Sequence, residues 1–349
     1  MSLRELLIQQ IATSGPMTIA EYMHQCLMHP RYGYYATRDP FGASGDFITA
    51  PEISQMFGEL VGLSLAQTWL DQGAPAEFLL VELGPGRGTL MKDILRATRH
   101  VPGFSNAQVH LIETSAALKE IQKQTLGPVI WHDNLNSLPD CPAYFVANEF
   151  FDALPVHQFV RRGAAWAERC ITVNGDDLAF ALMPPRPVHD LSHRLEDTAE
   201  DDIVEFCRPA RTIACQIGEH IENHGGAALI FDYGEWRSLG NTLQALKSHN
   251  PINPLETPGQ ADLTTHVDFE MLAQAAPCAH TRLTPQGVFL ERLGITERAQ
   301  ILARQLDGPA LKTHVAAHRR LTHPEEMGTL FKTMGFYSTS QKPPPGLEG

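Results

Sequence analysis

Apolar residues recur at helical spacing from the start of the chain, with Leu3, Leu6, Leu7 and Ile11 on one face. Thr18 followed by Glu21 has the form of a capping box, which predicts a second helix ending before Pro30. Pro51 stands where it can open a long helix, along which Ile53, Met56, Phe57, Leu60, Val61, Leu65 and Trp69 form one apolar stripe. Beyond that helix the period changes. Phe78-Leu79-Leu80-Val81 is a continuous apolar run, as expected of a parallel strand buried on both faces. Leu90, Met91, Ile94 and Leu95 mark a helix, residues 109–112 a second strand, and Ser115 the cap of the helix that follows. Residues 129–131, 143–147 and 157–160 predict further strands, the second of these running into Asn148-Glu149, and residues 227–231 predict another. Strands alternating with helices predict an α/β fold, a mostly parallel sheet with helices on both faces and right-handed crossovers.

Two stretches break this rhythm. Residues 162–205 contain the hairpin signal Val173-Asn174-Gly175-Asp176 and a Pro-rich piece at 183–187, and residues 239–263 are rich in Pro and Asn. The expected organisation is a helical N-terminal segment at 1–72 covering the ligand site and a core at 73–161 and 225–336. Inserted elements at 162–224 and 239–263 lie over the mouth of the sheet, residues 287–336 are helical, and a tail at 337–349 is disordered.

The 349 residues are 43% hydrophobic and 19% charged, enough apolar surface for one enlarged domain or two units. The formal net charge of −13 argues against broad binding to nucleic-acid phosphates and suits a small cationic ligand or a basic partner, or simply solubility. The six cysteines are scattered without a Cys-x-x-Cys pair, so neither a zinc site nor a disulfide framework is expected. The N-terminus has neither the signal-peptide nor the transit-peptide pattern, and no apolar run is long enough to span a membrane. A cytoplasmic location follows as the expectation.

The chemistry concentrates in Val81-Glu82-Leu83-Gly84-Pro85-Gly86-Arg87-Gly88-Thr89, which joins a buried strand to a helix. Glycines there let the backbone turn sharply and let a ligand approach without meeting a Cβ, at the strand end where open α/β sheets bind ligands. A dinucleotide site would need Gly-x-Gly-x-x-Gly, but the third position here is Thr89. Glu82 is awkward for a phosphate-rich ligand and suits an ammonium group, such as the methionine end of S-adenosylmethionine (SAM). Glu113, ending the second strand, can accept bonds from both hydroxyls of a ribose.

Asn148-Glu149-Phe150-Phe151-Asp152-Ala153-Leu154-Pro155 should project at the same mouth. Two carboxylates near a methyl donor can grip a guanidinium by bidentate bonds; equally, Asn148 or Asp152 can merely cap a helix. Residues 45–55, including Gly45, Asp46, Phe47, Thr49 and Gln55, can form a lid that excludes water, or an ordinary helix-start loop. His220 and His224 stand four apart but lack a third ligand, so a metal is not expected.

On these residues the chain resembles the MidA-like family. The carriers are Pro30-Arg31-Tyr32-Gly33-Tyr34-Tyr35, residues 45–59, the glycine turn, residues 148–155, Phe231-Asp232-Tyr233-Gly234, residues 261–269 and Gln286-Gly287-Val288-Phe289-Leu290. The resemblance spans nearly the whole chain and implies a Class I Rossmann-like methyltransferase fold with SAM as cofactor and S-adenosylhomocysteine as product. It also brings in a mitochondrial member that symmetrically dimethylates an arginine of a respiratory complex I subunit. By that resemblance Glu82, Gly84, Pro85, Gly86, Gly88, Glu113 and Asn148 are cofactor positions, and Asp133 and Asn134 meet the adenine. Glu149 and Asp152 become candidates for holding the arginine. One departure is Gly240-Asn241-Thr242-Leu243, where Gly-Thr-Leu is expected, in a region that can shape the substrate channel.

The function expected is therefore SAM-dependent methylation of a protein arginine, on a complex I subunit or a bacterial counterpart. Its alternatives are a small-molecule methyltransferase and a SAM-binding assembly chaperone without turnover. No nucleic-acid or membrane partner is expected, and a homodimer is left open.

Overall fold

The computed structural model describes residues 1–37, 48–247 and 249–349, and it divides into two units. One comprises Ile48–Phe151, Arg211–Trp236 and Phe269–Gly349; the other comprises Met1–Phe47, Asp152–Ala210 and Arg237–Asp268.

The first unit is built on a mostly parallel sheet. Its main strands are β1 (Leu79–Leu83), β2 (Gln108–Ile112), β3 (Ile130–His132), β4 (Ala143–Asn148), β5 (Gly226–Glu235), β6 (Ala279–His280) and β7 (Phe331–Tyr337). Among the described residues the order is β6-β7-β5-β4-β1-β2-β3. From β5 to β3 every neighbour is parallel, while β7 runs antiparallel to β5 with Ala227 opposite Tyr337. Every residue of β1 and β4 is buried, which explains why both read as apolar runs up to Val81 and Ala147. The helices that matter below are α1 (Gln55–Asp71), α2 (Thr89–Thr98), α3 (Ala116–Leu126) and α4 (Arg208–His224). Trp69 of α1 meets Phe78 and Phe104 at ring separations of 5.3 and 5.6 Å, and Phe78 meets Tyr144 of β4 at 5.7 Å. Burying each such ring contributes roughly 2–3 kcal/mol.

Three expectations are corrected here. The long helix from Pro51 is two: Ala50–Ile53 ends where Ser54 turns extended (φ −160°, ψ 136°), and the Ser54 hydroxyl then caps α1 by accepting from the Met56 N–H. Residues 208–224, assigned to an insertion, form α4, the crossover helix that a parallel β4–β5 connection requires. The tail at 337–349 is packed rather than disordered: Leu347 is buried in the core, Ser64 donates to the Pro345 carbonyl at 2.8 Å, and residues 331–337 are a strand, not a helix end.

The second unit begins with helices Leu3–Ser14 and Ile19–Met28, each opened by a complete capping box, from Ser2–Glu5 and Thr18–Glu21. An antiparallel sheet joins Met17–Thr18, Ala165–Asn174, His157–Arg162 and Ile203–Phe206. Residues 152–161 therefore leave the core to which they were assigned; a short strand does not encode its partner. Asp177–Leu182 pairs with Ala165–Asn174 through the hairpin at Gly175, whose φ of 61° suits the turn. Asn250–Ile252, Gln244–Lys247 and Asp262–Thr264 form a small antiparallel sheet. Among the described residues no helix is long and apolar enough to cross a membrane.

Candidate functional site

The turn after β1 is shaped by its glycines. Gly84, Gly86 and Gly88 have φ of 61°, 51° and 81°, a region that costs an L-residue roughly 1–2 kcal/mol. The Gly84 N–H continues the sheet ladder to the Ile112 carbonyl at 3.1 Å, and the Gly88 N–H closes the turn on the Pro85 carbonyl at 2.7 Å. Gly88 then serves as N-cap of α2, so the first N–H groups of that helix face the turn.

Glu82, the fourth residue of β1, is buried. Burial pushes its carboxyl well above the usual range, opposed by a bond from the Met91 backbone N–H. Its Oε2 has no hydrogen-bond partner. Glu113 closes β2, and its Oε1 accepts from the Thr114 and Ser115 N–H groups, both at 2.8 Å. Burial raises its carboxyl, with those bonds and Gln122 pulling the other way. Gln122 of α3, fully buried, was not singled out from sequence. Its Nε2 donates to Glu113 Oε2 at 3.1 Å and to the Gly86 carbonyl at 2.8 Å, and its Oε1 accepts from Trp131 Nε1 at 2.8 Å. A lone Gln at a helix position carries no local pattern that would have marked it.

The end of β4 supplies the acidic side. Asn148 is buried; its Nδ2 donates to Glu149 Oε1 at 3.1 Å and its Oδ1 is without a partner. Glu149 takes a left-handed φ of 51°, uncommon for a residue with a Cβ. It is held there by its N–H to the Phe231 carbonyl at 2.9 Å and by the Ala50 N–H, which donates to Oε1 at 3.1 Å. Phe150 comes next and lies against Gly84, where an added Cβ would sit 2.7 Å from the ring. Buried Asp232 of β5 fixes this loop by accepting from Phe151 N–H at 2.9 Å and from Tyr233 N–H at 3.0 Å. The glycine turn, Glu82, Glu113, Asn148 and Glu149 thus come together at the carboxyl ends of β1, β2 and β4.

The other candidates fall as follows. Asp133 and Asn134 follow β3 and are exposed; Asp133 pairs with Lys119 at 3.0 Å, and Asn134 Oδ1 accepts from the Asn136 N–H at 3.0 Å. Thr49 is buried and precedes the Ala50–Ile53 helix, whereas Gln55 opens α1 and is exposed. Gly45, Asp46 and Phe47 lie outside the described residues. Asp152 belongs to the other unit, where its carbonyl accepts from Thr265 N–H at 2.9 Å. In that unit Tyr35 donates to Asp262 Oδ1 at 3.0 Å, and burial, then Asp262 and Asp152, push its hydroxyl well up. His220, weighed as a metal ligand, meets the Cys141 carbonyl at 2.9 Å.

Residues 60–288 match the family model described as "Putative S-adenosyl-L-methionine-dependent methyltransferase". The chain belongs to this methyltransferase family. It is 34% identical to the zebrafish (Danio rerio) protein arginine methyltransferase NDUFAF7, mitochondrial, over 97% of this chain and 88% of that one. With the human (Homo sapiens) protein of the same name the identity is 36%, over 93% and 81%. The crystal structure of a Burkholderia thailandensis protein bound to S-adenosyl-homocysteine superposes with a TM-score of 0.81 at 26% identity, covering 99% of this chain and 92% of that one. The methyltransferase uses SAM. Its residues fit that cofactor: the glycine turn admits close approach, and the buried, unpartnered Glu82 Oε2 and Asn148 Oδ1 are acceptors that lack a donor.

Proposed function

We propose that this methyltransferase acts on an arginine of a protein substrate and that Glu149 holds the guanidinium. The observation that carries the reading is Glu149 itself: a carboxylate kept at a strained φ of 51°, one residue before the ring that packs on the glycine turn. Backbone strain of this kind persists where the surroundings over-determine it, and such positions cluster at functional sites. The similar zebrafish and human proteins, both named protein arginine methyltransferases, support the same substrate class.

SAM supplies a methyl group on a sulfonium sulfur, open to attack by a nitrogen. Glu82 would take the ammonium of its methionine end, Glu113 the ribose hydroxyls, and the segment at Asp133 and Asn134 the adenine. Glu149 would accept N–H bonds from the guanidinium and hold one terminal nitrogen in line, so that positioning provides much of the rate. A subunit of respiratory complex I, or its bacterial counterpart, is the substrate toward which the resemblance points.

The test is incubation of the purified protein with isotopically labelled SAM and a host extract, with mass spectrometry of the labelled products. Label in methylarginine of a protein supports the reading. Label confined to small molecules would replace it with a metabolite methyltransferase, and S-adenosylhomocysteine binding without any transfer would favour an assembly chaperone.

A further inference from the structure

Glu52 lies in the four-residue helix Ala50–Ile53, and none of the roles above uses its side chain. Its Oε1 accepts from the Thr89 hydroxyl at 2.5 Å. Thr89 is the first residue of α2, directly after Gly88, so this bond grips the exit of the glycine turn. The first N–H of the same short helix, that of Ala50, donates to Glu149 Oε1 at 3.1 Å. The helix is itself anchored: Ala50 and Pro51 are buried, and the N–H groups of Glu52 and Ile53 return to the Thr49 carbonyl at 2.9 and 3.2 Å. One short element therefore ties the end of the cofactor turn to the loop after β4. A carboxylate against the first turn of α2 also has the favourable sign for the helix dipole.

We propose that Glu52 is a positioning residue for the cofactor turn, acting through Thr89. It touches neither reacting atom; it holds the Gly88–Thr89 junction in the geometry that S-adenosylhomocysteine or SAM requires. The inference concerns the cofactor and is independent of which acceptor is methylated.

The experiment is calorimetric titration with S-adenosylhomocysteine, with thermal unfolding of each variant alongside. Glu52→Ala and Thr89→Val should each weaken binding about tenfold, the size expected for one charge-assisted hydrogen bond. The double variant should bind no worse than either single one, because both remove the same bond. Glu52→Gln and Thr89→Ser keep an acceptor and a hydroxyl and should stay within about threefold of the parent protein. Unchanged affinity in folded Thr89→Val or Glu52→Ala, with only the melting point lowered, would overturn the proposal in favour of a structural role. Additive losses in the double variant would overturn it too. Should Glu52→Ala fail to fold, Thr89→Val against Thr89→Ser decides.

Discussion

Gln122 Nε2 donates at once to Glu113 Oε2, at 3.1 Å, and to the Gly86 carbonyl, at 2.8 Å. One buried amide thus locks the acid at the end of β2 to the turn after β1, and Trp131 locks the amide in turn. Gln122→Leu would leave a buried carboxylate oxygen, a backbone carbonyl and an indole N–H without partners. The expected loss is about 1–3 kcal/mol of stability per unpaired group. S-adenosylhomocysteine binding should weaken about tenfold or more, read by calorimetry. Stability loss with unchanged affinity would mean that Glu113 and the turn do not depend on each other.

Phe150 sets the requirement for glycine at position 84. Gly84→Ala should destabilise the fold by roughly 1–2 kcal/mol from its φ of 61° alone, and more from the 2.7 Å approach to the ring. Urea unfolding measures the total. Gly84→Ala/Phe150→Ala should cost less than the sum of the two single changes, because the clash vanishes while the φ strain stays.

Glu149→Gln preserves an acceptor for the Ala50 N–H and the Asn148 amide but removes the charge. The variant should fold and bind S-adenosylhomocysteine within about threefold of the parent, while arginine methylation falls about 100-fold or more. Parental transfer rates would remove Glu149 from the mechanism.

Buried His110 of β2 meets half-buried His132 of β3. His110 Nδ1 and His132 Nε2 are 2.8 Å apart, and His132 Nδ1 meets the Ser137 hydroxyl at 2.6 Å. Burial, then the neighbouring His132, pushes the His110 imidazole down to about 4. An unfolded histidine titrates near ~6.5, so between these values the unfolded chain binds more protons than the folded one. The contribution is complete above pH ~6.5 and is lost as pH falls toward 4. By linkage between about 4 and ~6.5 it should be on the order of 2 kcal/mol between pH ~7.5 and ~5. Urea midpoints at both pH values check this: in His110→Gln the drop should shrink by that amount. The raised carboxyls of Glu82 and Glu113 work in the opposite direction and are common to both proteins, so the difference reports the coupled His110–His132 pair, whose second imidazole is also lowered by burial.

Local sequence carried the centre of this protein. The strand, glycine turn and helix of residues 79–98 lie in one continuous stretch, and burial on both faces, three left-handed glycines and an amphipathic helix each leave a mark within a few residues. The acids Glu82, Glu113 and Glu149 were legible for the same reason, as they sit at strand ends whose positions the pattern predicts. What required the folded chain were relationships between distant segments. The strand at 157–162 reads like its parallel neighbours but pairs antiparallel in another sheet, since partner choice depends on what else is near. Gln122 is an ordinary polar residue in sequence, and Asp232 and Glu52, though they stand inside motifs, carry no individual signal; only burial or reach to a second loop sets them apart. Leu347 shows the same limit: seven residues of Pro- and Gly-rich tail look structureless alone, and they are ordered because the core offers that leucine a place to bury its side chain.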